Sequence, residues 1–135
     1  ETKGFEGVAN FFYRHSDEER EHMLKLIKYV NERGGHAIVP PLKKPPKLFE
    51  CLSHIFQDLL NHEIMVTREI NKVVDICLKD KDYTTHNFMQ WYVAEQIEEE
   101  ALARLILDKL KLIADDKGGL YLFDRDIVNM NPVKN

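Results

Sequence analysis

Glu19-Arg20-Glu21-His22 sets a carboxylate and an imidazole three residues apart, so on a helix both face one way and can hold a single cation. The pair interrupts an apolar stripe that runs Phe5, Val8, Ala9, Phe12 and resumes at Met23, Leu26, Ile27 and Val30. Two later stretches repeat the anomaly. In one the stripe is Leu52, Phe56, Leu59, Glu63, Val66, Ile70, Val73, Cys77, with an acid in a core slot. In the other it is Phe88, Tyr92, Glu95, Glu99, Leu102, Ile106, Leu110, Ile113, which turns two acids inward. An ionised carboxylate taken out of water costs several kcal/mol unless a cation or a hydrogen-bond network compensates it. The spacing puts Arg20, Lys25, Arg68 and Arg104 off these faces, so a bound metal is the simplest compensation.

An oxygen-rich ligand set with one imidazole suits iron or manganese, whereas structural zinc prefers thiolates in a closed tetrahedron. A carboxylate bridging two ions holds them roughly 3.5 to 4 Å apart, where one small molecule such as dioxygen can touch both and take electrons from both.

Three long amphipathic elements must position these groups. Helices are predicted at about 4–33, 50–79 and 82–113, each a rod of roughly 42 to 48 Å at 1.5 Å per residue. A short fourth helix is predicted at about 120–129 on Leu120, Phe123, Ile127 and Val128. Gly34-Gly35 stops the first helix, and Gly118-Gly119 is read as the stop of the third. Pro40-Pro41 and Pro45-Pro46 make residues 36–47 an extended crossover, which lets the second long helix run parallel to the first. The turn at Lys79–Tyr83 is short, so the second and third long helices are antiparallel neighbours. The tail from Met130 is expected to fray. Three long rods and one short one leave one bundle face open, which predicts a further long helix upstream of Glu1 or from another chain.

With 135 residues, 44% of them apolar, the chain supports one core and is read as a single domain over 1–135. A net charge of −4 and the lack of a basic, aromatic-interleaved cluster argue against nucleic acid as the partner. No apolar run approaches the roughly 20 residues of a membrane span. Cys51 and Cys77 would lie roughly 39 Å apart along one helix, too far for a disulfide, which suits a reducing, cytoplasmic setting. Of the other features, Trp91 is a weak redox candidate one turn before the acids. Phe11, Phe12, Tyr13 and Tyr92 are read as packing, His15, His36, His54, His62 and His86 as surface or satisfied histidines, and Glu100 as solvated.

Gly4-Phe5-Glu6-Gly7, His15-Ser16-Asp17-Glu18-Glu19-Arg20-Glu21-His22, His62-Glu63, Trp91-Tyr92-Val93-Ala94-Glu95-Gln96-Ile97-Glu98-Glu99-Glu100 and Gly119-Leu120-Tyr121 together resemble the bacterial, non-haem ferritins, from their second helix through their short fifth. The resemblance implies an all-α, ferritin-like four-helix bundle with one long crossover, a short C-terminal helix and the first long helix missing. It makes Glu19 the carboxylate bridging two irons, His22 a ligand of the first, and Glu63 and Glu99 the holders of the second. Those four are the expected catalytic residues. Glu18, Glu95, Glu98 and Glu99 resemble a third iron site, and Gln96 a residue lining the di-iron centre. Haem-binding relatives carry a second E-x-x-H on the last long helix, but Leu102 follows Glu99 by three, so no haem is expected. The ferritin pattern also has a Glu ligand of the first iron and an electron-donating Tyr on its first long helix, and neither falls in this chain.

The implied activity is iron storage: oxidation of ferrous iron by dioxygen or peroxide and deposition of ferric mineral inside a homo-oligomeric cage of about 24 copies. The alternative is a non-catalytic shell subunit that nucleates mineral, or an inactive fragment. Neither nucleic acid nor membrane is expected as a partner.

Overall fold

The computed structural model describes residues 1–131 and is all-α: α1 (Glu6–Glu32), α2 (Leu52–Asp80), α3 (Tyr83–Ile113) and α4 (Lys117–Ile127). Among the described residues there is no strand, and no helix is long and apolar enough to cross a membrane. Met130 and Asn131 are outside any helix, and the rest of the tail expected to fray lies outside the described residues. The chain divides into two compact units, with the division inside α4 after Leu120.

The first unit holds α1, the extended segment up to Lys47 and residues 121–129. Gly4 turns the chain into α1 at φ +82°, and Phe5 in the N-cap position offers no side-chain oxygen to the first turn. One of the orphan donors there, the Val8 N–H, is taken instead by Asp124 Oδ1 of α4 at 2.9 Å. That approach requires a glycine at position 7, because a Cβ there would stand 1.7 Å from the Asp124 carbonyl oxygen. Arg14 donates to the Val128 carbonyl at 2.8 Å, placing a cation at the C-terminal end of α4, where the helix dipole favours it. Phe11 is buried, stacked on His15 with ring centroids 6.0 Å apart.

The end of α1 is as the sequence reads. Gly34, at φ +82°, donates to the Asn31 carbonyl and Gly35 to that of Val30, which closes a Schellman motif. Residues 36–51 then run without helix. Of the predicted α1 stripe only Val8 is fully buried: Phe5, Ala9, Phe12 and Ile27 are half-buried, Met23, Leu26 and Val30 are exposed, and Phe11 and His15 take other buried positions.

The second unit is built on the antiparallel pair α2 and α3. Lys81, left-handed at φ 57°, ends α2, and Asp82 caps α3 by accepting from the Thr85 N–H at 3.0 Å. Along α2 the buried positions are Phe56, Glu63, Ile70 and Cys77, one every seven residues. Val73 is exposed, and Val74 packs inward in its place. On α3 the buried set includes Met89, Tyr92, Gln96, Glu99, Ala103, Ile106 and Leu110, in alternating steps of three and four. Ile70, Met89 and Tyr92 form one core cluster, backed by Val66, Val74, Phe88, Trp91 and Val93.

Gly118-Gly119 plays a different part from the one its sequence suggests. Helix α3 ends at Ile113, with Ala114 at φ +50° and its N–H on the Leu110 carbonyl. Asp116 then accepts from the Gly119 N–H at 2.5 Å through its side chain and from Leu120 through its carbonyl, so the glycines lie in the first turn of α4. The short helix accordingly spans Lys117–Ile127 rather than 120–129. A Cβ at residue 119 would meet Ile113 Cγ2 at 2.8 Å, which is why a side chain is missing there.

Candidate metal-ligand groups

On α1 four groups follow at intervals of three, one and three: His15, Glu18, Glu19 and His22. Glu19 Oε1 lies 3.8 Å from His22 Nδ1 and 4.0 Å from His15 Nε2, so one carboxylate oxygen stands between two imidazoles. Glu18 Oε2 lies 4.0 Å from His15 Nδ1. These separations exceed hydrogen bonds. Two donor atoms each about 2.1 Å from one ion stand roughly 3 to 4.2 Å apart, so the spacing fits a shared cation. The side chains of Glu18 and Glu19 are 41% and 39% exposed and that of His22 is 19% exposed, leaving the group open to an arriving ion.

His15, expected at the surface or as a satisfied histidine, is buried at 8% exposure beside both acids. The signal was present: His15 follows Phe11 by four and precedes Glu19 by four and His22 by seven, the helical spacing that carries one face.

In the second unit Glu63 is the most deeply buried acid at 1% exposure. Its Oε2 accepts from Gln96 Nε2 at 3.1 Å, and the same amide nitrogen reaches the Glu63 carbonyl at 3.1 Å. Its other oxygen lies 3.6 Å from His62 Nδ1. The acceptors fix the Gln96 amide with its NH2 toward Glu63, since a carbonyl and a carboxylate only accept.

On α3 Tyr92, Glu99, Leu102, Ile106 and Leu110 are buried as predicted, while two positions slip by one residue, Met89 for Phe88 and Gln96 for Glu95. Gln96 rather than Glu95 takes the buried slot beside Glu99, which is 4% exposed, and Glu95 and Glu98 are half-buried. Adjacent residues point about 100° apart on a helix, so a one-residue slip moves a group from the core to the flank. Glu100, expected to be solvated, has a side chain only 16% exposed and is held by the Thr67 hydroxyl at 2.7 Å and by Arg104. Arg104 lies off the apolar face as expected, with its side chain 52% exposed, and from there it pairs with Glu100.

Trp91 and Tyr92 meet edge to face with centroids 4.7 Å apart, and burial pushes the Tyr92 phenol up to about 12. Burial, with the Asp82 and Asp80 carboxylates nearby, also raises the Cys77 thiol, which favours its protonated form.

A family profile described as the ferritin-like domain matches residues 1–113. The chain is 45% identical over 125 residues to the bacterial non-heme ferritin of Campylobacter jejuni, covering 93% of this chain and 75% of that protein. It is 40% identical over 131 residues to a probable bacterial non-heme ferritin-like protein of Haemophilus influenzae, covering 97% of this chain and 79% of the relative. Among solved structures, an open pore ferritin from Archaeoglobus fulgidus superposes with a TM-score of 0.92 at 37% identity, over 94% of this chain and 78% of that one.

Proposed function

We propose that this chain, which belongs to the ferritin family, stores iron, oxidising ferrous ions at a di-iron site and passing ferric product to a mineral inside a homo-oligomeric cage. The observation that carries the reading is Glu19 Oε1 between His22 Nδ1 and His15 Nε2 at 3.8 and 4.0 Å, the span of a shared ion. Glu19 bridges the two irons, His22 binds the first, and Glu63 and Glu99 bind the second. Burial of Glu63 at 1% and Glu99 at 4% supports their part, because a bound cation compensates an inward carboxylate more fully than a single hydrogen bond does. Gln96 holds Glu63 in place. Glu18, Glu95, Glu98 and Glu99 form the third iron site.

Iron is the substrate. Each of two ferrous ions gives up one electron, and dioxygen takes both with two protons to leave as hydrogen peroxide, or peroxide takes them to leave as water. Anionic ligands stabilise the ferric product more than the ferrous reactant, which lowers the cost of the transfer. The long residues left exposed on α1, among them Met23, Leu26 and Val30, suit burial against other copies in the cage, and the setting is cytoplasmic.

Stopped-flow oxidation of anaerobically loaded ferrous iron, followed by ferric absorbance, tests the reading. Glu19→Ala and Glu63→Ala each abolish the rapid phase, while His54→Ala, whose side chain is 62% exposed, leaves it unchanged. Wild-type rates in both acid variants would overturn the assignment and leave a shell subunit that only nucleates mineral.

A further inference from the structure

One hydrogen-bonded chain runs from the surface to Glu63 entirely within the α2–α3 pair. Arg104, 52% exposed at its side chain, pairs with Glu100 Oε2. Thr67 Oγ1 lies 2.7 Å from Glu100 Oε1, Gln96 Nε2 lies 3.4 Å from Thr67 Oγ1, and the same amide reaches Glu63 Oε2 at 3.1 Å. The first three members, with Ile70 and Asn71, line a cleft of about 320 Å³ that also includes Gln96.

Every direction in this chain is determined. Arg104 can only donate and the Glu100 carboxylate can only accept, so the Thr67 hydroxyl must give its hydrogen to Glu100. Its lone pairs then face Gln96, which must present its NH2 side, and that side is the one Glu63 needs. Thr67 stands four residues after Glu63 on α2. A threonine hydroxyl without another acceptor turns back to the carbonyl four residues earlier. Here that carbonyl is the one Gln96 already uses, at 3.1 Å. Glu100 therefore keeps the Thr67 hydrogen away from Glu63, and Arg104 keeps Glu100 at its post.

We propose that Thr67 and Glu100 are positioning residues for the Glu63 carboxylate, acting through Gln96 to fix which Glu63 oxygen is tied to protein and which is offered to a metal ion. The inference rests on the reading of Glu63 as an iron ligand. Groups that orient a ligand in this way are worth 10 to 100-fold in metal affinity.

The test uses the full chain and Co²⁺ as a redox-inactive spectroscopic probe, titrated by its visible absorption, with rapid iron oxidation measured in parallel. Glu63→Ala defines the Glu63-dependent site. Thr67→Val, which keeps the shape and removes the hydroxyl, weakens that site about 10-fold and alters its Co²⁺ spectrum. Thr67→Ser restores affinity to within about twofold, and Glu100→Gln, which turns an obligatory acceptor into a group that can donate, falls between the two. Loss of the site in Glu63→Ala with wild-type binding in Thr67→Val and Glu100→Gln overturns the positioning role and leaves the ligand reading intact. Equal damage in Thr67→Ser and Thr67→Val also overturns it, since packing alone would then be at stake. Unchanged Co²⁺ binding in Glu63→Ala removes both.

Discussion

Replacing Glu63 by Gln tests whether this acid is kept for metal or for the fold. The side chain is buried to 1% exposure, and holding an ionised carboxylate there costs several kcal/mol. The Gln96 donor at 3.1 Å returns about 1.5 to 3 kcal/mol as a charge-assisted hydrogen bond. The neighbouring His62 is 56% exposed at its side chain, so water solvates it if the acid is removed. Gln at position 63 keeps the volume and an oxygen to accept from Gln96 while removing the charge. The metal-free variant is therefore expected to be more stable than wild type by about 1 to 2 kcal/mol. With an unfolding entropy of about 2.1 cal/mol/K per residue, that raises Tm by about 4 to 7 °C. Anaerobic ferrous iron at about 100 times its Kd stabilises wild type by about 2.7 kcal/mol, and the variant gains little, so the order reverses. Circular-dichroism melts with and without ferrous iron measure both. A variant less stable than wild type without metal, or stabilised equally by iron, would refute the reasoning.

Gly7→Ala is expected to destabilise the first unit by about 3 kcal/mol, seen as a lower urea midpoint, because the new methyl would overlap the Asp124 carbonyl and break the bond to the Val8 N–H. Asp82→Ala removes the cap on α3 and should cost about 1 kcal/mol in the same assay. Burial raises the Tyr92 phenol from 10 to about 12, so the neutral form is favoured in the fold and its contribution is complete below pH 10. It is lost as pH rises from about 10 through 12, and Tyr92→Phe should flatten that part of an alkaline unfolding curve. Iron oxidation in Trp91→Phe is expected to stay within about twofold of wild type if the indole packs against Tyr92 and does no more.

What the residues alone determined was the set of helices, several of their ends and the chemistry placed within them. Alternating steps of three and four are enough to mark long helices, Gly34-Gly35 carries its own Schellman stop, and Pro40-Pro41 with Pro45-Pro46 cannot continue a helix. Glu63 was legible as a buried acid because its stripe is apolar for two turns on either side.

The choices between adjacent positions belonged to the tertiary structure. Neighbouring residues on a helix differ by about 100°, and the faces of a strict seven-residue repeat and of a 3.6-residue turn drift apart, so packing of α2 on α3 selects Gln96 over Glu95 and Val74 over Val73. Local pattern also left open which part of a stripe is covered and which acid finds a partner: His15 is buried while Met23, Leu26 and Val30 are not, and Glu100 is held by a threonine 33 positions away. The start of α4 was set by the Asp116 side chain, which turns two glycines from a stop signal into a first turn. Periodicity fixes which residues can share a face, but a neighbouring helix is needed to say which face is buried and which acid finds a partner.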